Sequence, residues 1–288
     1  MSTEATTAAV YPIKARYFVV LWLLPMIFLP GTNLLYNWLD QAFWEWYWYD
    51  IAYYLYLYIL FGVLGAIAVL LTGVEVLEFF GKPRVASWSV GLQLTVLSFL
   101  FSVVVFLGMF IPLSYTAPGF VEYWVVSLPP LVYFSEAGGY YPVVANALGL
   151  VCLIVLPSLV EEWVFRGVLL RRWSEKYSRK KAIWWSSILF GVMHTDPIGA
   201  TAFGVVMCCL YIYSGSLWVP IVCHAVNNLV CWFIEWGYIA HYGNGYEYTM
   251  EMFRSSWPWI PVCAVLLVVL YLLFDKHGQI RAVLKMAR

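Results

Sequence analysis

Long apolar runs alternate with short polar breaks along almost the whole chain. A membrane-spanning helix needs about 20 apolar residues. Runs of that kind lie at 17–39, 51–72, 88–112, 142–170, 182–194, 198–213, 218–238 and 257–274. The pattern predicts an all-α, polytopic membrane protein of about eight transmembrane helices, forming a single transmembrane domain over 1–288. The runs 182–194 and 198–213 are short, which suits tilted spans or a helical hairpin supported by its neighbours. They come as a pair, so the later runs keep the same sidedness either way.

Charge then orients the runs. With the amino terminus inside, cytoplasmic segments hold Lys14, Arg16, Lys82, Arg84, Arg171, Arg172, Lys176, Arg179, Lys180, Lys181, Lys276, Arg281, Lys285 and Arg288, which leaves only Arg166 and Arg254 of the 16 basic residues. The external segments hold Arg254 beside Asp40, Glu45, Asp50, Glu122, Glu136, Asp196, Glu247 and Glu251. This is the positive-inside pattern, and it predicts both termini on the cytoplasmic side. The expected location is an integral membrane, the plasma (inner) membrane if the source is prokaryotic.

Composition sharpens the class. Charged residues make up 11% of the chain and hydrophobic ones 63%, against about 25% charged in a soluble domain. Net charge is zero, which argues against a nucleic-acid partner; the bilayer is the expected environment. The abundant aromatics cluster near the ends of runs, as interfacial belts do. Six cysteines all fall in apolar runs without a C-x-x-C pair, and read as small core residues free of disulfides. Lys14 and Arg16 precede an apolar run with no small-residue cleavage site, so a retained first span is expected rather than a signal peptide. The stretch 119–141 reads as an external loop with an apolar piece, Val125–Val132, interrupted by Pro129 and Pro130. The tail from Lys276 to Arg288 reads as a cytoplasmic anchor on anionic lipid. No internal repeat or low-complexity tract is evident.

The run 142–170 carries Glu161, Glu162 and Arg166, and charges inside a membrane are costly and tend to be functional. At about 1.5 Å rise per residue, Glu161 lies roughly 15 Å from Arg171, too deep for an interfacial residue. Glu162 and Arg166 stand i, i+4 with the acid first, an order that favours an ion pair. Glu161 points about 100° away and has no local partner, so it is a candidate general base. Two further runs bring polar groups to the membrane: His194 closes AIWWSSILFGVMH, and His224 and Asn228 share a face of VPIVCHAVNNLVCWF. Asn227 is turned off that face. His241 and His277 read as solvated residues of a loop and the tail. A lone intramembrane histidine is often a helix-packing hydrogen bonder; Glu161, His194, His224 and Asn228 on three runs point instead to a shared site. Glutamate and histidine can deprotonate a water, while histidine and asparagine can donate to an oxyanion. Glu161, His194 and His224 could alternatively hold zinc with an open position for water, although the H-E-x-x-H signature is absent.

Together EEWVFR (161–166), FGVMH (190–194) and HAVNN (224–228) resemble the E-E-x-x-x-R, F-x-x-x-H and H-x-x-x-N motifs of the CPBP family, the CAAX proteases and bacteriocin-processing enzymes related to the Ras-converting endopeptidase. The resemblance covers about 142–236, the expected protease core. It implies an eight-helix intramembrane endopeptidase of glutamic type. Glu161 would be the general base, His194 would help activate the water, and His224 and Asn228 would form the oxyanion site. Glu162 and Arg166 would support that site. No cofactor is expected on this mechanism, with zinc as the alternative. The implied substrate is a membrane-anchored protein or peptide cut near its end: a prenylated C-terminus, a bacteriocin leader or a C-terminal sorting signal. Two other classes use the same residues differently. A transporter would use Glu, His and Arg as a proton relay, and a non-catalytic immunity protein would tolerate Glu161→Gln.

Overall fold

The computed structural model describes residues 47–70, 80–134, 142–243 and 247–287. These residues are helical with no strand. The main helices are α1 (Tyr47–Leu70), α2 (Ala86–Thr116), α3 (Val143–Lys176), α4 (Arg179–Gly191), α5 (Pro197–Ser214), α6 (Trp218–Tyr242) and α7 (Trp259–Phe274). Short helical pieces lie at Pro118–Val121, Met250–Ser255 and Gln279–Leu284. Among the described residues six helices are long and apolar enough to cross a membrane: α1, α2, α3, α5, α6 and α7. The chain is an integral membrane protein. The expected span 17–39 lies outside the described residues, as do Lys14, Arg16 and the carboxyl-terminal Arg288.

The short pair of runs forms a hairpin. Helix α4 has 13 residues, about 20 Å, so it falls short of a hydrocarbon core of about 30 Å. It starts at the basic run Arg179–Lys181 and stops at Gly191, and the turn after it reaches only the middle of the bundle. There Asp196 caps α5, its Oδ1 accepting the Gly199 amide at 2.9 Å, while the Ser102 hydroxyl donates to its Oδ2. Ser102 is at the midpoint of the 31-residue α2. Asp196 therefore sits inside the bundle and not in the external loop that its sequence position suggested; the shortness of α4 is the reason. Helix α6 extends past 238, so His241 lies exposed in its last turn rather than in a loop.

The basic residues gather at one end. The Leu217 amide donates to the Phe80 carbonyl at 3.2 Å, tying the α5–α6 turn to the segment entering α2, and the chain after α7 folds beneath them. Ile280 and Val283 of that tail are fully buried in the main core, so its apolar face rests on protein as well as presenting charge outward. At the opposite end, Arg254 donates to the Ser114 hydroxyl and carbonyl at 3.0 and 2.6 Å, holding Met250–Ser255 against the end of α2. Helix α7 exposes Val265, Val268, Leu272 and Leu273, an apolar face suited to lipid rather than water.

The core joins Leu57 and Phe61 of α1, Leu94 of α2, Val164 and Val168 of α3, Met207 of α5 and Cys223 of α6. All six cysteines are free. Helices α2 and α6 pack closely at Gly91, where an added Cβ would stand 2.9 Å from Cys223 Sγ and 3.1 Å from Val219 Cγ1. Gly91→Leu should therefore cost about 1–3 kcal/mol by overpacking and lower the thermal midpoint in detergent. Gly108→Leu, which meets nothing within 4 Å, should leave it unchanged.

Candidate active site

Helix α3 carries the charged part of the site, and its winding is irregular there. Wider π-type turns occupy Val151–Val155 and Trp163–Leu170, on either side of the α-helical Leu156–Glu162. Such turns recur at functional sites. Pro157 lies between them and has no amide hydrogen, so the Leu153 carbonyl lacks its ordinary i+4 donor. The Asn228 side chain supplies one from α6, with Nδ2 3.2 Å from Leu153 O. That bond fixes α6 against α3 about two turns before the glutamates.

Glu162 and Arg166 are fully buried, and Arg166 Nη1 lies 2.7 Å from Glu162 Oε1. The pairing expected from their i, i+4 spacing is present. Arg166 Nη2 also donates to the Gly204 carbonyl of α5 at 3.3 Å, and its guanidinium packs over the Phe190 ring. The same Glu162 oxygen lies 2.9 Å from His224 Nδ1. A carboxylate oxygen beside an imidazole nitrogen accepts a proton donor, so Nδ1 carries hydrogen and Nε2 is left facing the cavity.

His194 is in the turn after α4, beyond the helix that its sequence run suggested. Its ring is fixed in the same sense: Nδ1 is 2.7 Å from the Phe190 carbonyl, an obligate acceptor, so Nδ1–H donates and Nε2 is free. Phe190 and Phe203 pack against the His224 ring edge to face. Both Nε2 atoms point at one atom, Glu161 Oε2, each at 3.9 Å. Glu161 is 7% exposed, and among the described residues its Oε2 has no hydrogen-bond partner. Its other oxygen accepts the Tyr58 hydroxyl of α1 at 3.0 Å.

Glu161, His194, His224 and Asn228 line one cavity of about 370 Å³ with Tyr58 and Phe203. The structure thus brings together the four residues singled out from sequence, and places Glu162 and Arg166 directly behind them. Tyr58 was not foreseen. It is one tyrosine in the aromatic stretch YWYDIAYYLYLY, and nothing in its spacing separates it from interfacial neighbours. Asp196 and Ser102, also in the cavity wall, were not foreseen either.

A family model described as type II CAAX prenyl endopeptidase, Rce1-like, matches residues 143–230. Over those residues the chain is similar to the Rce1-like CAAX endopeptidases. No curated protein and no solved structure matches the chain. The Rce1-like segment starts with α3, runs through the α4–α5 hairpin and ends within α6, so it contains both glutamates, Arg166, both histidines and Asn228. The Rce1-like family is a protease family. The resemblance read from the three motifs and the family match coincide in that identification.

Removing one partner of a buried ion pair strands the other charge, at about 3–5 kcal/mol. Arg166→Leu should therefore sharply lower the thermal midpoint in detergent. The paired change Glu162→Gln with Arg166→Met should recover much of the loss. A midpoint unmoved by Arg166→Leu would mean that the pair does not hold α3.

Proposed function

We propose that the chain is an intramembrane endopeptidase that hydrolyses a peptide bond of a membrane-anchored protein or peptide with water activated by Glu161. The convergence of two oriented imidazole nitrogens on the free oxygen of a buried carboxylate carries this reading. A separation of 3.9 Å is too long for a direct hydrogen bond and is one that a bridging water spans. Water held there would sit between Glu161 Oε2 and His194 Nε2. Glu161 takes its proton as the oxygen attacks the scissile carbonyl carbon, and the tetrahedral oxyanion forms. In its imidazolium form His224, with Nδ1–H on Glu162, would offer an Nε2–H to that oxyanion. Asn228 keeps a second N–H beyond the one given to Leu153, and offers it likewise. Glu161 then returns the proton to the amide nitrogen as the C–N bond breaks. Tyr58 holds the other carboxylate oxygen and fixes its direction; Glu162 and Arg166 fix the His224 ring.

Eight spans with both termini cytoplasmic remain the topology that the basic-residue distribution favours. The six candidate spans and the run 17–39 make seven, and α4, too short to cross alone, pairs with α5 as a hairpin that keeps the same sidedness.

The shared aim of both Nε2 lone pairs also favours a second reading, in which zinc would be held by Glu161, His194 and His224. A bound zinc would act as a Lewis acid and lower the pKa of its water. Tetrahedral zinc with ligands at about 2.0–2.1 Å would draw these donors to about 3.4 Å of each other, closer than the 3.9 Å found. A tetrahedral bridging water would set the same donors about 4.6 Å apart, so the spacing falls between the two cases, and no step is assigned to a metal.

Glu161→Gln keeps the shape of the side chain and removes the base. It should lower cleavage of a membrane-anchored reporter about 10²–10⁴-fold with an unchanged thermal midpoint. Full cleavage by a folded Glu161→Gln protein would end the role of Glu161 as base, and no cleavage by the folded wild type would leave a transport or immunity role. Metal analysis of the purified protein, with cleavage followed under chelation, separates the two mechanisms. Retained activity in metal-free protein is expected; loss restored by stoichiometric zinc would replace the water mechanism with the metal one.

A further inference from the structure

Among the described residues the walls of the cavity around Glu161 extend toward one end of the bundle. Every wall residue on α3 (Leu153, Ile154, Pro157 and Glu161) lies at or before Glu161, toward the start of the helix. On α6 the wall begins at His224 and continues through Cys231 and Trp232, away from the basic end. Below Glu161 the helices close on one another: every residue from Glu162 to Leu170 is buried, as are Leu217, Val219 and Cys223. Glu161 and His224 thus form the floor of a blind shaft.

A second cavity of about 720 Å³ continues the shaft upward and shares Leu131, Thr195 and Cys231 with it. Its walls come from the segment 122–134, from the outer turns of α6 and from Tyr248. The segment is fastened at two points. Glu235 of α6 accepts the amides of Leu131 and Val132 at 2.8 and 3.3 Å, and the Trp124 indole donates to the Thr195 carbonyl at 3.1 Å. The 122–134 segment thus forms a built rim around a vestibule and not a stray loop.

We infer that the polypeptide to be cut reaches Glu161 through this vestibule, from the end of the bundle opposite the basic cluster. Positively charged segments stay in the cytoplasm, so that end is extracytoplasmic. The substrate is then a membrane-anchored polypeptide whose cleavable segment is presented in extended form from outside the cytoplasm, and not a cytosolic carboxyl-terminal tail. The inference rests on Glu161 as the reacting group.

Cys231, half-buried where the two cavities meet, is a built-in reporter. The full-length wild type is treated in intact cells with a membrane-impermeant sulfonated maleimide, and modified cysteines are located by mass spectrometry. Leu128→Cys on the rim and Arg84→Cys at the basic end, each in the wild-type background, report the two sides. Cys231 and Leu128→Cys should be modified in intact cells and Arg84→Cys spared; inverted membrane vesicles should give the reverse. Modification of Cys231 or of Leu128→Cys from the Arg84 side would overturn the inference, as would a Leu128→Cys modified from neither side. Cleavage assayed alongside keeps the two readings apart. A protein modified as expected but unable to cut the reporter supports the access route and refutes the proteolytic reading.

Discussion

An arginine and a glutamate inside a bilayer each carry a desolvation cost of several kcal/mol, and only close pairing with further hydrogen bonds offsets it. Arg166 and Glu162 pair at 2.7 Å, with Glu162 Oε2 and Arg166 Nε left without a hydrogen-bond partner among the described residues, and the rest of the site is arranged around them. Arg166 reaches across to the Gly204 carbonyl of α5 and lies over Phe190 of α4. Glu162 in turn receives His224 of α6. One ion pair thereby joins four helices at a single height. Glu161, next in sequence but turned away from this knot, stays free to face the cavity.

The helix that carries the pair is not regular, and the irregularities have a use. Pro157 removes a backbone donor one turn before Glu161. The deficit is met from α6 by Asn228, so the bond that repairs α3 also docks the helix bearing His224. The two π-type stretches flank the same turn. The half-length α4 plays the complementary part. By stopping at Gly191 it leaves His194 and Asp196 at the level of the middle of α2, whereas a full-length span would have carried both to the membrane surface.

Much of this was legible in the sequence because it follows from periodicity. The i, i+4 spacing of Glu162 and Arg166 foretold their contact and left Glu161 over. The apolar runs located α1 to α7 to within a few residues. What stayed hidden depended on packing between distant segments. Tyr58 is 103 residues from Glu161 and sits among tyrosines of identical local pattern. Asp196 looked external because a charged residue between two apolar runs usually is. Its true depth depends on how far α4 extends, and a run ending at His194 gave no sign that the helix stops at Gly191. The tail from Lys276 displayed its charges, while the burial of Ile280 and Val283 could be seen only once α5 and α2 stood above them.

Glu161 and His194 act as one device in the water mechanism, where the histidine is useful only while the glutamate can take the proton from the shared water. Groups that act as a unit give strongly non-additive losses. The most direct measurement is kcat/KM for a membrane-anchored reporter with wild type, Glu161→Gln, His194→Gln and the double variant. The double variant should be no worse than the more damaged single one. Losses that multiply in full, each variant remaining folded, would contradict a shared water and place the two residues in separate roles.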